Sequence, residues 1–111
     1  MIAESLYTKI VNELRAQPTE LPTVPSNKTT PKWFRAYIED GDIYVESAKV
    51  NRPSSNMSMR RIISAKDFVK VYSYYDEWAN GNTKAKQEAV SESLNSAYIF
   101  ALIAKYREGA Q

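Results

Sequence analysis

An α+β fold is predicted, with a small antiparallel sheet packed by three helices. Two runs of aromatic and β-branched residues, 33–39 and 42–50, flank Asp40-Gly41, and three other segments repeat apolar residues at helical spacing. The order helix, hairpin, third strand, helix, helix lets the helices cover a sheet instead of alternating with its strands. With 111 residues the chain reads as one domain, 1–111, because a compact fold of that size buries roughly 65% of its unfolded surface.

The first helix is expected over residues 3–16, where Leu6, Ile10 and Leu14 recur with Ala3 and Tyr7 on one face. Pro18 ends it. Residues 17–31 hold Pro18, Pro22, Pro25 and Pro31, a spacing that favours extended polyproline-like backbone and bars a central strand. A proline-rich arm is therefore expected, with Leu21 and Val24 available to lie on a neighbour.

The hairpin at 33–50 is the clearest local signal. Asp40-Gly41 suits a type I′ turn, which needs positive φ at both central positions. That turn sets Ile38 opposite Ile43, Tyr37 opposite Tyr44, Ala36 opposite Val45, Arg35 opposite Glu46 and Phe34 opposite Ser47. Side chains alternate along a strand, so Phe34, Ala36, Ile38, Ile43 and Val45 form a core face. Trp33, Arg35, Tyr37, Tyr44 and Glu46 form the other, joined by a cross-strand ion pair and expected to lie beneath the N-terminal helix. A third strand is expected near 57–63, after the turn-rich Asn51-Arg52-Pro53-Ser54-Ser55-Asn56.

Ser64-Ala65-Lys66-Asp67 has the form of a capping box and opens a helix over about 65–80 whose Phe68, Val71, Tyr72, Tyr75 and Trp78 face the core. Gly81 ends it. A last helix is expected over about 83–107, with Val90, Leu94, Ala97, Tyr98, Ala101 and Leu102 as its stripe. The expected core is Phe34, Ile38, Ile43, Val45, Phe68, Tyr72, Leu94, Ala101 and Leu102. Residues 98–104 are apolar all round, so this helix is either central or part of a subunit interface; a homodimer is the expected assembly.

Composition narrows the chemistry. There is no cysteine and no histidine, which removes thiolate metal sites, disulfides and the side chain most used for proton transfer near neutral pH. The first six residues lack the basic start of a signal peptide, and no apolar run is long enough to span a bilayer. A cytoplasmic protein without a membrane partner is expected. The three glycines, at 41, 81 and 109, form no phosphate loop. Asp42, Glu46 and Lys49 do not fit an acid-x-Lys nuclease pattern, because residues three apart on a strand point to opposite faces. No catalytic residue, metal site or cofactor is assigned.

Charge is local. Residues 28–66 carry eight basic and four acidic side chains, against a net +2 for the whole chain. Lys49, Arg52, Arg60 and Arg61 lie in a thirteen-residue stretch without an acid, among Asn51, Ser54 and Ser55. Such guanidinium, amide and hydroxyl groups suit a phosphate or carboxylate, and the neighbouring Trp33, Arg35 and Tyr44 suit unpaired bases. These ten residues are the candidate ligand-binding set. Asn95-Ser96, beside the buried stripe, must either bond to the basic loop, line a pocket or face solvent.

The segments Pro31-Lys32-Trp33-Phe34, Ile43-Tyr44-Val45, Arg52-Pro53-Ser54-Ser55, Arg61-Ile62-Ile63-Ser64, Asp67-Phe68-Val69-Lys70-Val71-Tyr72 and Asn95-Ser96-Ala97-Tyr98-Ile99 together resemble small uncharacterised proteins of integron gene cassettes and other mobile elements. The resemblance spans most of residues 31–103. It implies a stand-alone accessory protein in a setting where nucleic acid is handled, and it transfers no site residue. The expected function is non-enzymatic binding of nucleic acid or another anionic partner at the 49–61 loop, with affinity falling steeply with salt. The alternative is a small-molecule binder or histidine-free enzyme with a pocket between the hairpin and the last helix.

Overall fold

The computed structural model describes residues 2–24 and 30–108. Its elements are α1 (Ala3–Ala16), β1 (Thr19–Pro22), β2 (Trp33–Glu39), β3 (Asp42–Ser47), β4 (Arg61–Ile63), α2 (Ala65–Ala79), α3 (Ala85–Glu92) and α4 (Ser96–Ile103), which runs into a π turn at Ala104–Glu108. The strands form one antiparallel sheet in the order β1-β2-β3-β4. The fold is α+β, and every hairpin pair from Phe34–Ser47 to Ile38–Ile43 has the predicted partner. Asp40 (φ 53°) and Gly41 (φ 82°) both occupy the left-handed region that a type I′ turn requires.

The core lies between one sheet face and the helices. Leu21, Phe34, Ala36, Ile43, Val45 and Ile63 from the sheet share it with Leu6, Ile10 and Leu14 of α1, Phe68 and Val71 of α2, and Ile99, Phe100, Leu102 and Ile103 of α4. Tyr7 on α1 donates to the Ile63 carbonyl at 2.8 Å, fastening that helix across β4. Ser64 caps α2 by accepting from the Asp67 amide at 3.1 Å. α4 is enclosed by its own chain, so its apolar circumference needs no second copy to cover it.

The sequence expectations need correction in several places. The proline-rich arm is not merely an arm: Thr19–Pro22 pairs with β2 as an edge strand, the position proline tolerates because one side of the ladder needs no donor. Leu21 is buried in the chain's own core, and the Val24 carbonyl accepts from Lys86 Nζ. The part of the arm at 25–29 lies outside the described residues. β3 stops at Ser47 and the third strand shrinks to Arg61–Ile63. Between them the chain curls back: Trp33 N donates to the Pro53 carbonyl and Ser55 N to the Trp33 carbonyl, both at 2.8 Å, so Ser54 takes the place beside Trp33 that a longer β3 would fill. Met57 is tied to Ser47 by two bonds through Ser47 Oγ, at 3.0 and 3.2 Å, which keeps residues 57–60 out of the ladder.

The expected last helix is two helices. At Ser93 the backbone is extended (φ −152°, ψ 132°) and the hydroxyl donates to Asp67 Oδ2 at 2.8 Å. Serine and asparagine compete with helix hydrogen bonds in this way. The break changes which residues face inward. Leu94 is 85% exposed and Val90 58%, and Ala97 is also exposed, while Ala85, Ala89, Ile99 and Phe100 are buried. Leu94 therefore leaves the expected core, and Ile38 is only half-buried. Among the described residues no helix is long and apolar enough to cross a membrane.

Candidate functional site

The sheet face opposite the core carries Trp33, Arg35 and Tyr37 on β2, with Tyr44 and Glu46 on β3. Each is half-buried, as side chains lying over one another on an open sheet should be. Contrary to expectation α1 does not cover them, because Leu6, Ile10 and Leu14 pack on the other face. The Tyr37 and Tyr44 rings stack at 5.8 Å with 21° between planes. Each ring carries a guanidinium: Arg35 lies 4.9 Å from the Tyr37 centroid and Arg60 4.1 Å from that of Tyr44. A layer of tyrosines and arginines results, with Ile62, opposite Tyr44 on β4, at its margin.

The arginines of this layer are tied down by acids of the sheet. Arg35 pairs with Glu46 at 2.7 Å, and Lys49 Nζ is 3.9 Å from the same carboxylate. Arg60 pairs with Glu39 at 2.8 Å and donates to the Tyr37 hydroxyl at 3.1 Å. The bond to Tyr37 and the pairing with Glu39 push the Arg60 pKa up from its ordinary value.

The loop after β3 already holds an anion, and that anion is Glu20 of β1. Its carboxylate accepts from the backbone amides of Lys49 (2.6 Å), Val50 (3.0 Å) and Asn51 (2.8 Å), and from Asn51 Nδ2 (2.8 Å). Successive amides converging on one carboxylate make a small anion cradle. The Asn51 amide foremost, with those of Lys49 and Val50 and the Asn51 side chain, holds the Glu20 pKa down to about 2. A shallow hollow of about 440 Å³ opens here, lined by Thr19, Glu20, Arg35, Lys49 and Asn51 among others.

The ten candidate residues thus fall into three places. Trp33, Arg35, Tyr44 and Arg60 share the open face. Lys49, Asn51, Arg52, Ser54 and Ser55 build the loop at the β1 edge: Arg52 reaches the Ala48 and Asn51 carbonyls at 3.4 Å, Ser54 Oγ accepts from the Ala48 amide and donates to the Ser55 carbonyl, and Ser55 is buried. With its hydroxyl committed to the backbone, Ser54 serves to shape the loop. Arg61 is separate, reaching over Tyr98 (5.8 Å) to donate to the Leu94 carbonyl at 3.1 Å.

Asn95 is the contact the sequence left open. Its Nδ2 donates to the Ile62 carbonyl and to Asp67 Oδ2, both at 3.3 Å, closing the outer edge of β4. Tyr37, Glu39 and Glu20 are members of the site that the candidate set lacked. The hairpin register places Tyr37 there; for Glu20 no local signal exists, since its partners lie about thirty residues away. Between the hairpin and α4, Phe34 meets Tyr98 edge-on at 4.9 Å. Among the described residues no three acidic side chains gather to hold a metal ion. No family model, curated protein or solved structure matches this chain.

Proposed function

We propose that this is a non-enzymatic binding protein whose recognition surface is the open sheet face, and that its ligand is an unpaired nucleic-acid strand. The observation that carries this is the uncovered layer of Trp33, Tyr37 and Tyr44 with Arg35 and Arg60 stacked on the tyrosines. Splayed-out bases stack on aromatic rings and on guanidinium planes alike. The accessory role implied by the resemblance to integron-cassette proteins fits such a ligand.

The ion pairs set the kind of binding. Arg35 and Arg60 are neutralised by Glu46 and Glu39. Arg61 turns to the helix-covered face, opposite Val45; among the described residues Arg52 makes no ion pair, and Lys49, 3.9 Å from Glu46, is 69% exposed. One or two cations are then available to phosphates, which gives a slope of log K against log salt of about −0.7 to −1.4 for a single strand. Affinity should fall about three- to sevenfold between 50 and 200 mM salt, where a charge-dominated binder loses about a thousandfold or more. The steep dependence expected from the sequence is revised on this ground.

The test is titration of labelled single strands and duplex at two salt concentrations, read by anisotropy and by Trp33 fluorescence. Single-strand binding with the shallow slope, weakened about tenfold or more by Tyr44→Ala, is the expected result. No single-strand binding at 50 mM salt, or equal binding of duplex, overturns the proposal.

A further inference from the structure

The helices pack on the other side of the sheet, yet one ring of the open face lies beneath a side chain of the sheet layer itself. Arg60 stands one residue before β4, and both its polar partners are on β2: its Nη1 donates to the Tyr37 hydroxyl at 3.1 Å and pairs with Glu39 at 2.8 Å. In the strand order β3 lies between β2 and β4. Adjacent strands are about 4.8 Å apart, so the side chain spans about 10 Å and has to pass over β3 on the way. Tyr44 is what it passes over, with the guanidinium carbon 4.1 Å from the ring centroid. The arginine on top is exposed and the ring under it is half-buried.

Arg35 is arranged differently. It lies two residues before Tyr37 on the same strand, and its carboxylate, Glu46, stands directly opposite on β3, so it reaches its partner without crossing a strand. The contacts that hold Arg60 across β3 are of a kind that gives way. Its ion pair joins side chains that are 43% and 46% exposed, a class that contributes little and is weakened by salt. Its hydrogen bond to the Tyr37 hydroxyl is one that water replaces at small net cost.

We infer that Arg60 is a strap that gates the Tyr44 ring, with Glu39 as its catch: the strap lies across the ring in the free protein, and a base reaches Tyr44 only when the Arg60–Glu39 pair opens. This rests on the proposed stacking function of the face and names what controls entry to it. The apparent affinity is then lowered by the fraction of molecules whose ring is open. Loosening the catch raises affinity. A guanidinium that served as the stacking surface itself would instead lose its orientation with the catch, and binding would weaken.

Hydroxyl-radical footprinting of the ligand-free protein, read residue by residue by mass spectrometry, tests the strap without any ligand. Glu39→Gln keeps the arginine and removes the catch, Arg60→Ala removes the strap, and Glu46→Gln takes the same charge from the face while leaving the strap in place. Labelling of Tyr44 should rise in the first two and stay at the wild-type level in the third, with the fully buried Phe34 unlabelled throughout as the check on folding. Titrating the same proteins with the labelled single strand gives the second reading: Glu39→Gln should bind about threefold or more tighter than Glu46→Gln, the scale of one exposed ion pair. Equal Tyr44 labelling in every protein, or a measured Glu39→Gln affinity no higher than that of Glu46→Gln, overturns the strap, and strand binding by the wild type then leaves the stacking face standing. Tyr44 uncovered in Glu39→Gln and Arg60→Ala, with no strand bound by any of the proteins, keeps the cover and overturns the stacking face. Equal labelling with no strand bound overturns both.

Discussion

Leu94 and Leu102 share one predicted helical stripe, yet the break at Ser93 leaves Leu94 85% exposed and Leu102 fully buried. Replacing each by alanine turns that difference into energies. For Leu102→Ala, three buried carbons at about 0.8 kcal/mol each give about 2.4 kcal/mol of lost transfer energy. The cavity that remains adds about 24 cal/mol per Å³. Leu102 sits among Ile99, Phe100 and Ile103 in a core held from both the sheet and α2, where collapse is restricted, so a total of about 3–5 kcal/mol is expected. Leu94→Ala should stay within about 0.5 kcal/mol, the range of surface changes. Urea denaturation with both variants, at equal m, measures the two values. A loss above about 1 kcal/mol for Leu94→Ala would refute the break and restore a continuous last helix, and a loss below about 1 kcal/mol for Leu102→Ala would refute the burial of α4.

Gly41→Ala meets nothing within 4 Å of its new Cβ, so its cost is the backbone's alone: about 1–2 kcal/mol for an alanine held at φ +82°, measured by denaturation, with Asp40→Asn close to neutral as the control. Glu20, whose pKa falls from an ordinary 4.5 to about 2, contributes stability that is complete above pH 4.5 and is lost as pH falls towards 2. Glu20→Gln should lower the melting temperature at pH 7 and flatten its decline between those pH values; an unchanged acid limb would show that the amides do not hold the carboxylate. Asp67→Ala leaves the Ser93 hydroxyl and the Asn95 amide without their shared acceptor, and should cost about 1–3 kcal/mol by chemical denaturation.

What was legible in the sequence was what short-range periodicity and turn chemistry determine. Asp40-Gly41 set the hairpin register residue by residue, and the spacing of Leu6, Ile10 and Leu14 gave the bounds and buried face of α1. β1 was hidden because four residues ending in proline carry almost no strand signal, and the pairing partner lies beyond a stretch of further prolines. The break in the last helix left a trace in Ser91, Ser93, Asn95 and Ser96, four poor helix formers within six residues. Its cause, the carboxylate of Asp67, comes from another helix.

The basic stretch at 49–61 shows why charge read along a chain misleads in an antiparallel sheet. Each strand there runs back beside its neighbour, so the acids of one strand stand across from the bases of the next. Glu20 reaches the amides of Lys49, Val50 and Asn51; Glu46 meets Arg35, and Glu39 meets Arg60. A window without acids in sequence is thus surrounded by acids in space, and the local excess of positive charge shrinks to a few side chains at the rim. What the pairing leaves behind is shape. Arg35 and Arg60 are held over the Tyr37 and Tyr44 rings by the carboxylates that neutralise them, so the ion pairs that weaken long-range attraction also order the aromatic surface. A partner selected by such a face would be held by contact area and stacking, with charge entering only at the edge, at the exposed Lys49 beside Glu46.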